Sequence, residues 1–423
     1  MIADTVAAQD MHEDALAKKY QRKIRLGVAG LGRGFMAMFA PLALHPGIQL
    51  VACADPRQEA RDRFESDFSA IAYETVEALC NNSDVEAIYI ATPHQCHREH
   101  VELAAKKGKH ILVEKPMALT LDDCQAMYRI ARECGVKLLV GHSHGFDRPI
   151  KVLRELIASR EFGPVGMINA INFTDFLYRP RRIEELSTEH GGGVVFSQAS
   201  HQVDIVRLLG GGRVRSVRAN TGNWDAARPT ETAYSALMTF EDGLFASLTY
   251  SGNAHFDADE LCGWIGENGL PKNREKYGEA RRLLKNVTSA EDEEALKRTR
   301  NYGSIGYVGM DLEAVKNVHP RYHEHFGSII VSCQKADLRP DSRCITIYGN
   351  ESRRVIPLGE PAVPRSEVID ELYDAVVSWI EPVHSGEWGT ANLEVCLAFL
   401  QSAREQRDIP LQYQVAVLDT SIT

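Results

Sequence analysis

The sequence predicts an α/β fold in which a doubly wound parallel sheet precedes an α+β domain with a largely antiparallel, open sheet. Apolar strand-like runs alternate with helical patterns between residues 24 and 143, which is typical of parallel sheets. Longer runs of alternating polar and apolar residues follow Pro149, and Asp242 and Gly243 form a tight-turn pair between two of them. We therefore divide the chain into an N-terminal extension (1–23), a first domain (24–148) and a second domain (149–423) that carries a charged insertion (258–307).

The strands of the first domain are continuous apolar runs, which read IRLGVAG, IQLVACAD, AIYIAT, HILVEK and KLLVGHS. Parallel sheets are covered by helices on both faces, so their strands are apolar on both sides. Helical patterns separate the runs, and Thr120 followed by Asp123 is typical of a capped helix start. The order predicts successive strand–helix–strand units.

The second domain contains alternating runs such as VGMINAINFTDF, AYSALMTF, LFASLTYSG and RCITIYG. Such alternation indicates antiparallel strands with one covered face. Within 258–307, the stretch REKYGEARRLLKNVTSAEDEEALKRTR has helical spacing and many charges. Two interpretations of it stay open, a lid over a binding site and a solvated surface excursion.

Composition excludes several classes of partner. The 423 residues include 58 acidic and 48 basic side chains, a net charge of −10, which argues against nucleic acid or an anionic membrane surface as the main partner. Nine cysteines without a CxxC pair indicate reduced thiols. With neither a signal-peptide pattern nor a long apolar stretch, we expect a cytoplasmic protein that binds a small molecule. His319, His323 and His325 lack an accompanying ligand set, so no metal site is predicted.

A glycine-rich turn joins the first strand to the first helix. Gly30, Gly32, Arg33 and Gly34 lie in this turn, and Asp55 ends the second strand. Backbone N–H groups in such a turn can approach a pyrophosphate, and a carboxylate at the next strand end can accept ribose hydroxyls. This predicts a dinucleotide cofactor.

The choice between the two nicotinamide dinucleotides rests on two neighbouring residues. Asp55 would repel a 2′-phosphate, which favours NAD. Arg57 could instead meet that phosphate, so NADP stays an alternative.

Two further strand ends deliver polar residues to the same edge of the sheet. ATPHQCH brings Thr92, Pro93 and His97, and HILVEKP brings Glu114 and Lys115. Ligands of doubly wound folds bind at this edge. We predict that Lys115 acts there, because burial lowers the pKa of a lysine toward the range of proton exchange. A lone lysine at a strand end can also simply reach solvent.

The motifs GVAGLGRG, ATPHQCH, GKHILVEKP and GGGVVFSQASHQVD occur in the order and spacing of the glucose-fructose oxidoreductase and inositol dehydrogenase (Gfo/Idh/MocA) family, which the chain after residue 23 resembles throughout. The resemblance implies a Rossmann domain, NAD as cofactor and a homodimer or homotetramer. It also implies that Lys115 is the catalytic lysine, presented by Pro116, and that His201 and Asp204 belong to the site.

Spacing agrees with that assignment. Ser197, His201 and Asp204 are i, i+4 and i+7, which places them on one helix face. Many family dehydrogenases carry aspartate where this chain has Ser197. The division of proton transfer between Lys115 and His201 is therefore open.

Two stretches indicate the substrate. FLYRPRR holds three arginines, and arginine forks match carboxylates, so they predict an anionic substrate; they are Arg179, Arg181 and Arg182. An arginine cluster on a solvated loop is the alternative. HSHGFDRP adds His142 and His144, and with HEHFGSIIVSCQKADLRP these stretches resemble the subgroup of the family that oxidises phthalate cis-dihydrodiols.

We therefore expect an NAD(P)-dependent dehydrogenase that oxidises a cis-dihydrodiol of a phthalate-type aromatic acid. Three alternatives stay open. The substrate could be a sugar or cyclitol, the protein could be a glycoside hydrolase that uses NAD transiently, or it could be a dinucleotide sensor without catalysis.

Overall fold

The computed structural model describes residues 19–141, 143–307, 309–318 and 321–418. Its first sheet has six parallel strands in the order β3-β2-β1-β4-β5-β6, the arrangement of a Rossmann domain. The strands are β1 (Ile24–Ala29), β2 (Ile48–Ala54), β3 (Ile71–Tyr73), β4 (Ala87–Ile90), β5 (His110–Val113) and β6 (Leu138–Val140). The helices between and after them are α1 (Arg33–Ala37), α2 (Phe39–Leu44), α3 (Gln58–Phe68), α4 (Val76–Cys80), α5 (His97–Lys106), α6 (Leu121–Glu133) and α7 (Arg148–Ala158).

The second sheet has nine described strands in the order β14-β13-β12-β11-β7-β10-β9-β8-β15. They are β7 (Val165–Phe173), β8 (Val214–Gly222), β9 (Ala233–Phe240), β10 (Phe245–Ser251), β11 (Ser328–Cys333), β12 (Ala336–Pro340), β13 (Cys344–Gly349), β14 (Arg353–Pro357) and β15 (Ile409–Pro410). Apart from the parallel pair of β7 and β10, the described strands pair antiparallel. The predicted fold class is confirmed, and Asp242 and Gly243 connect β9 to β10 as their sequence indicates.

The helices of the second half differ in length. A π-helical turn (Val195–Ala199) runs into α8 (Ser200–Leu209), and α13 (Gly386–Glu405) is the longest described helix. The shorter ones are α9 (Glu279–Leu284), α10 (Ala290–Arg298), α11 (Leu312–Asn317) and α12 (Ser366–Val377). Two 3₁₀ turns, Ala258–Cys262 and Arg274–Lys276, complete the charged insertion.

The late part of the chain returns to the first sheet. Val368, Ile369 and Leu372 of α12 are buried in the same apolar cluster as Leu26 of β1 and Phe35 of α1. Since each apolar side chain removed from water stabilises the fold by about 1.5–3 kcal/mol, this packing holds the two halves together. The same packing also fixes the loops that follow the strands of the first sheet relative to the second sheet.

One face of the second sheet carries exposed apolar side chains. They include Ile171, Leu237, Phe245, Ile330 and Val355, each more than 40% exposed. Contiguous apolar surface of this kind is typical of protein–protein contacts. The homodimer or homotetramer implied by the sequence stays a prediction.

Across the described ranges, no helix is both long enough and apolar enough to cross a membrane.

Candidate active site

Lys115 lies in the loop between β5 and α6, at the carboxyl edge of the first sheet. The Lys115–Pro116 peptide bond is cis. The lysine Nζ donates a hydrogen bond of 2.9 Å to the carbonyl oxygen of Ser197, in the π-helical turn of the second half. The lysine thus bridges the two halves of the molecule.

The surroundings of Lys115 favour its neutral form. Burial lowers the pKa of Lys115, and the positive charges of Arg365 and Arg181 lower it further, against the carboxylate of Glu114. Glu114 is itself buried and accepts a hydrogen bond from the hydroxyl of Tyr89. The amine can therefore accept a proton closer to neutral pH than an exposed lysine can.

His201 lies on α8, one helical turn after Ser197. Its Nδ1 accepts a 3.3 Å hydrogen bond from the backbone N–H of His144, and its ring lies 4.9 Å from the rings of both His144 and Phe326. Since Lys115 bonds to the carbonyl of Ser197, the helix that carries His201 also anchors the lysine. The hydroxyl of Ser197 donates to the carbonyl of Gly193.

Asp204, predicted as a substrate residue, is fully buried within the protein. Its carboxylate accepts hydrogen bonds from Trp388 Nε1 (2.5 Å), Asn392 Nδ2 (2.8 Å) and the Ser143 hydroxyl, and Oδ2 lies 3.2 Å from His384 Nε2. These partners occupy both carboxylate oxygens. The geometry gives Asp204 a role behind the cleft, in place of contact with substrate.

His144 contributes to the same side of the cleft as His201. Its Nδ1 lies 2.6 Å from Asp147 Oδ2, and both residues are buried. Burial lowers the pKa of His144 and raises that of Asp147, so burial favours the uncharged form of each. His142, predicted with it, lies outside the described residues.

The glycine turn has the shape that a pyrophosphate requires. Gly30 has φ +90°, and a Cβ added there would lie 2.9 Å from the carbonyl oxygen of Ala91. A Cβ at Gly32 would meet no atom within 4 Å, so the space beside it is open. Gly34 packs against Ala91 and Glu114. The turn therefore offers an open backbone cradle, and its residues fit a dinucleotide.

Asp55, predicted to bind the ribose, follows β2 and is 5% exposed. Its Oδ2 accepts the Leu31 N–H at 2.8 Å, and both carboxylate oxygens bond to the guanidinium of Arg57 at 3.0 and 3.1 Å. The remaining guanidinium N–H groups of Arg57 bond to the carbonyls of Leu31 and Tyr302 and to the Ser304 hydroxyl. An arginine engaged in this way does not face a 2′-phosphate, so the geometry favours NAD over NADP.

The residues after β4 divide into two groups. Pro93 is exposed and Thr92 half-buried at the strand end, where a cofactor would contact them. His97 is fully buried, and its ring nitrogens lie 3.1 and 3.0 Å from the carbonyls of Met117 and Thr92. His97 therefore joins the β4 and β5 loops and positions them, in place of the cofactor contact that we predicted. Arg33, the first residue of α1, is exposed and donates to the Arg300 carbonyl at 3.4 Å.

The three arginines differ in what surrounds them. Arg179 has carboxylates at 3.5 Å (Asp175) and 3.9 Å (Glu267), and Arg182 is 40% exposed beside Glu185. Arg181 stacks 3.6 Å over the Phe176 ring and donates to its carbonyl, while its Nε has no hydrogen-bond partner among the described residues. Arg182 Nε likewise has no hydrogen-bond partner there, but it lies 3.8 Å from Glu185 Oε2, so Arg181 is the one of the two whose free donor has no carboxylate beside it.

Sequence reasoning missed two charged residues near the lysine. Glu267 bonds to Asn172 Nδ2 at 3.1 Å and perturbs the pKa of Lys115 and His144. Arg365, which precedes α12, also contributes to the lowered pKa of Lys115. Both come from distant parts of the chain and stand in no recognisable motif, so nothing in the sequence marks them.

The charged insertion connects both halves. Glu293 pairs with Arg228 at 2.8 Å and accepts the backbone N–H of Arg181 at 2.8 Å, both within the second half. Farther along, Tyr302 is buried against Phe35 of the first half. The insertion thus lies against both the loop that carries Arg179, Arg181 and Arg182 and the first helix after the glycine turn.

Among the described residues, no group of three or more His, Cys, Asp or Glu is arranged to hold a metal ion. His323 and His325 are described, while His319 is not.

Comparison with known proteins identifies two family segments. Residues 24–142 match the model of the oxidoreductase family with an NAD-binding Rossmann fold, Gfo/Idh/MocA, and residues 150–270 match a Gfo/Idh/MocA C-terminal domain. The chain is 45% identical to 1-carboxy-3-chloro-3,4-dihydroxycyclohexa-1,5-diene dehydrogenase of Comamonas testosteroni, over 90% of this chain and 96% of the relative.

Solved structures agree on the fold. A protein of Bordetella bronchiseptica RB50 described as a dehydrogenase superposes with a TM-score of 0.85 and 38% identity, over 92% of this chain and 100% of that one. The WlbA dehydrogenase of Bordetella pertussis, solved with NADH and UDP-GlcNAcA, has a TM-score of 0.62 and 21% identity over 92% and 99% of the two chains. The second likeness shows the fold alone.

Proposed function

The chain belongs to the Gfo/Idh/MocA family of NAD-dependent oxidoreductases, and within it we propose that this enzyme oxidises a cis-dihydrodiol of an aromatic carboxylic acid to the dihydroxy aromatic acid. The observation that carries the proposal is Lys115, held at the sheet edge by Ser197 beside a buried guanidinium with a donor to spare. Lys115 supplies a proton acceptor, and the guanidinium, that of Arg181, recognises a carboxylate.

The residues of the chain would divide the work as follows. Gly30, Gly32 and Gly34 would hold NAD, which would supply the hydride acceptor for the alcohol carbon. Lys115 takes the hydroxyl proton, since its pKa is lowered by burial and by Arg365 and Arg181. His201, held by the backbone N–H of His144, would hydrogen-bond the neighbouring diol oxygen. The ketone formed from a cyclohexadiene diol tautomerises to an aromatic ring, which favours oxidation.

Arg181 is the residue that we propose for the substrate carboxylate. Arg179 is already neutralised by Asp175 and Glu267, and Arg182 is partly exposed beside Glu185. A buried arginine without a carboxylate partner gains most from binding one, because charge-assisted bonds are strongest away from water. Of the three arginines predicted to bind an anionic substrate, we therefore propose Arg181 alone for the carboxylate.

The ring substituents distinguish two versions of the substrate. Sequence motifs favour a phthalate-type diol, which has two carboxylates. The name of the Comamonas testosteroni relative describes one carboxylate and a chlorine. Arg181 and Arg182 each have an Nε donor without a hydrogen-bond partner among the described residues, and the substrate panel distinguishes one carboxylate from two.

The test is the absorbance of reduced nicotinamide when the purified protein meets NAD and a panel of substrates. The panel contains the cis-dihydrodiols of phthalate, chlorobenzoate and benzene, together with inositol and glucose. We expect NADH from a carboxylated diol, and much less from the benzene diol because it lacks the anion.

Two results would contradict the proposal. Reduction of NAD by inositol or glucose alone would assign a sugar or cyclitol dehydrogenase. NAD binding without NADH from any member of the panel would leave a hydrolase or a sensor, and hydrolysis of a glycoside without net NADH would separate those two.

A further inference from the structure

A small cavity lies directly behind Lys115, within the protein. Its volume of about 20 Å³ holds one water molecule. Lys115, Ser143, Ser200 and Asp204 contribute polar side chains to its wall, and Cys396 and Trp388 of α13 are among the residues that close it. Its size excludes a substrate.

The wall contains a polar atom with no partner. The Ser200 hydroxyl is buried, in a residue only 8% exposed, and makes no hydrogen bond to a described residue. Buried hydroxyls are almost always hydrogen-bonded, and a bound water is the usual partner where the protein offers none.

Beyond the cavity, polar groups continue in one chain. The Ser143 hydroxyl donates to Asp204 Oδ2, that oxygen forms a 3.2 Å ion-pair contact with His384 Nε2 that lacks hydrogen-bond geometry, and His384 Nδ1 lies 3.0 Å from Glu371 Oε2. Asp204 is fully buried and the His384 side chain is 5% exposed, but that of Glu371 is 19% exposed. The chain therefore leads from the cavity to solvent.

His384 is fixed within this chain. The backbone N–H of Val140, in β6, donates to its carbonyl at 2.8 Å, and the Phe146 ring stacks 3.6 Å from its imidazole. Although burial opposes it, the carboxylates of Glu371 and Asp204 raise the pKa of His384 to about 9. A charged imidazole between two carboxylates can give a proton to one while receiving a proton from the other.

We propose that the cavity water, Ser143, Asp204, His384 and Glu371 form the route by which the proton accepted by Lys115 leaves the protein. The inference rests on the proposed function. Each turnover places one hydroxyl proton on the Lys115 amine, which passes it to the water; the proton then moves through Ser143 and Asp204 to His384, and His384 releases one to Glu371 and solvent. Charge and atoms balance, since one proton enters and one leaves. Lys115 remains the catalytic residue, and the others are positioning residues.

The experiment follows NADH formation and proton release together, by stopped flow with a carboxylated cis-dihydrodiol, NAD and a pH-indicator dye in weak buffer. In the native enzyme both signals should rise together. In His384→Gln, which preserves shape but carries no proton at neutral pH, we expect proton release to lag behind the first NADH formed. We also expect kcat to fall about tenfold with KM unchanged, and the solvent deuterium effect to increase.

A cavity-filling variant tests the water separately. Cys396→Met should displace it and produce the same lag, while Cys80→Met, an equally buried cysteine far from the cavity, serves as the packing control and should not. Proton release in step with NADH in both His384→Gln and Cys396→Met would overturn the route.

One readout does not depend on turnover. A high-resolution crystal structure should show a water bonded to Ser200 Oγ, and Cys396→Met should lack it. A dry cavity would overturn the route even if the diol is oxidised. If instead the native protein forms no NADH with any diol while the water is present, the proposed function fails and the water site stands.

Discussion

The two walls of the proposed active site, one for the cofactor and one for the substrate, are built in different ways. The cofactor wall comes from loops that follow neighbouring strands of one sheet, and comprises Gly30, Gly32, Gly34, Asp55 and Lys115. The substrate wall gathers residues from five separate segments, and comprises His144, Arg181, His201, Glu267 and Arg365. Chain order alone fixes the first, because the carboxyl ends of parallel strands meet at one edge. Tertiary packing fixes the second.

The largest effect on turnover should come from replacing Lys115, which joins the two walls. In Lys115→Met we expect kcat to fall about a thousandfold, because the proton acceptor is lost, while the glycine turn stays intact. NAD affinity, measured by calorimetry, should stay within about twofold of the native value. Turnover close to native would remove Lys115 from its assigned role.

A variant of the substrate wall should affect one class of substrate. Arg181→Met removes charge-assisted hydrogen bonds of about 1.5–3 kcal/mol, which raises KM for a carboxylated diol by about 10–100-fold. The benzene diol should be unaffected. The matched control is the neighbouring Arg182→Met, whose side chain is 40% exposed. Equal losses on both diols, or in both variants, would show that Arg181 does not hold the carboxylate.

On the cofactor wall, substitutions at two glycines distinguish an effect on stability from an effect on NAD binding. Gly30→Ala forces a side chain into φ +90° against Ala91, which costs about 1–3 kcal/mol of stability. Gly32→Ala meets nothing within 4 Å. We expect it to leave the melting temperature unchanged and to weaken NAD binding about tenfold, since the cofactor needs that space. Unchanged NAD affinity in Gly32→Ala would place the pyrophosphate elsewhere.

The last prediction concerns the pH dependence of stability and His384, which lies behind Lys115. The pKa of His384 is raised to about 9 from its ordinary value of about 6.5. The contribution of His384 to the free energy of unfolding is therefore complete below pH 6.5 and is lost as the pH rises through 9. The free energy of unfolding, measured by denaturant titration, should fall by up to about 3 kcal/mol across this interval. His384→Gln should flatten the curve there, whereas the exposed His190→Gln should not. An unflattened curve would show that another group titrates.

The sequence predicted the sheet well, because strand periodicity is a local signal, and the residues of the cofactor wall stay predictions that the glycine turn, also a local signal, supports. Lys115 and His201 were found through motifs that keep their spacing along the chain. Glu267 and Arg365 escaped detection because each acts only after residues far apart in sequence have packed together. Asp204 and His97 were found, but their burial, which sequence cannot show, gives them supporting positions behind the cleft in place of ligand contact.

The return of α12 to the first sheet bears on how the enzyme can be dissected. Val368, Ile369 and Leu372 cover apolar side chains of β1 and α1, and Tyr302 closes the same cluster. A fragment ending near residue 148 would keep every glycine of the cofactor wall, yet leave that cluster open to water. We therefore expect the nucleotide-binding half to be less stable alone than in the whole chain, and a graft of it onto another protein to need α12 and the Tyr302 loop as well.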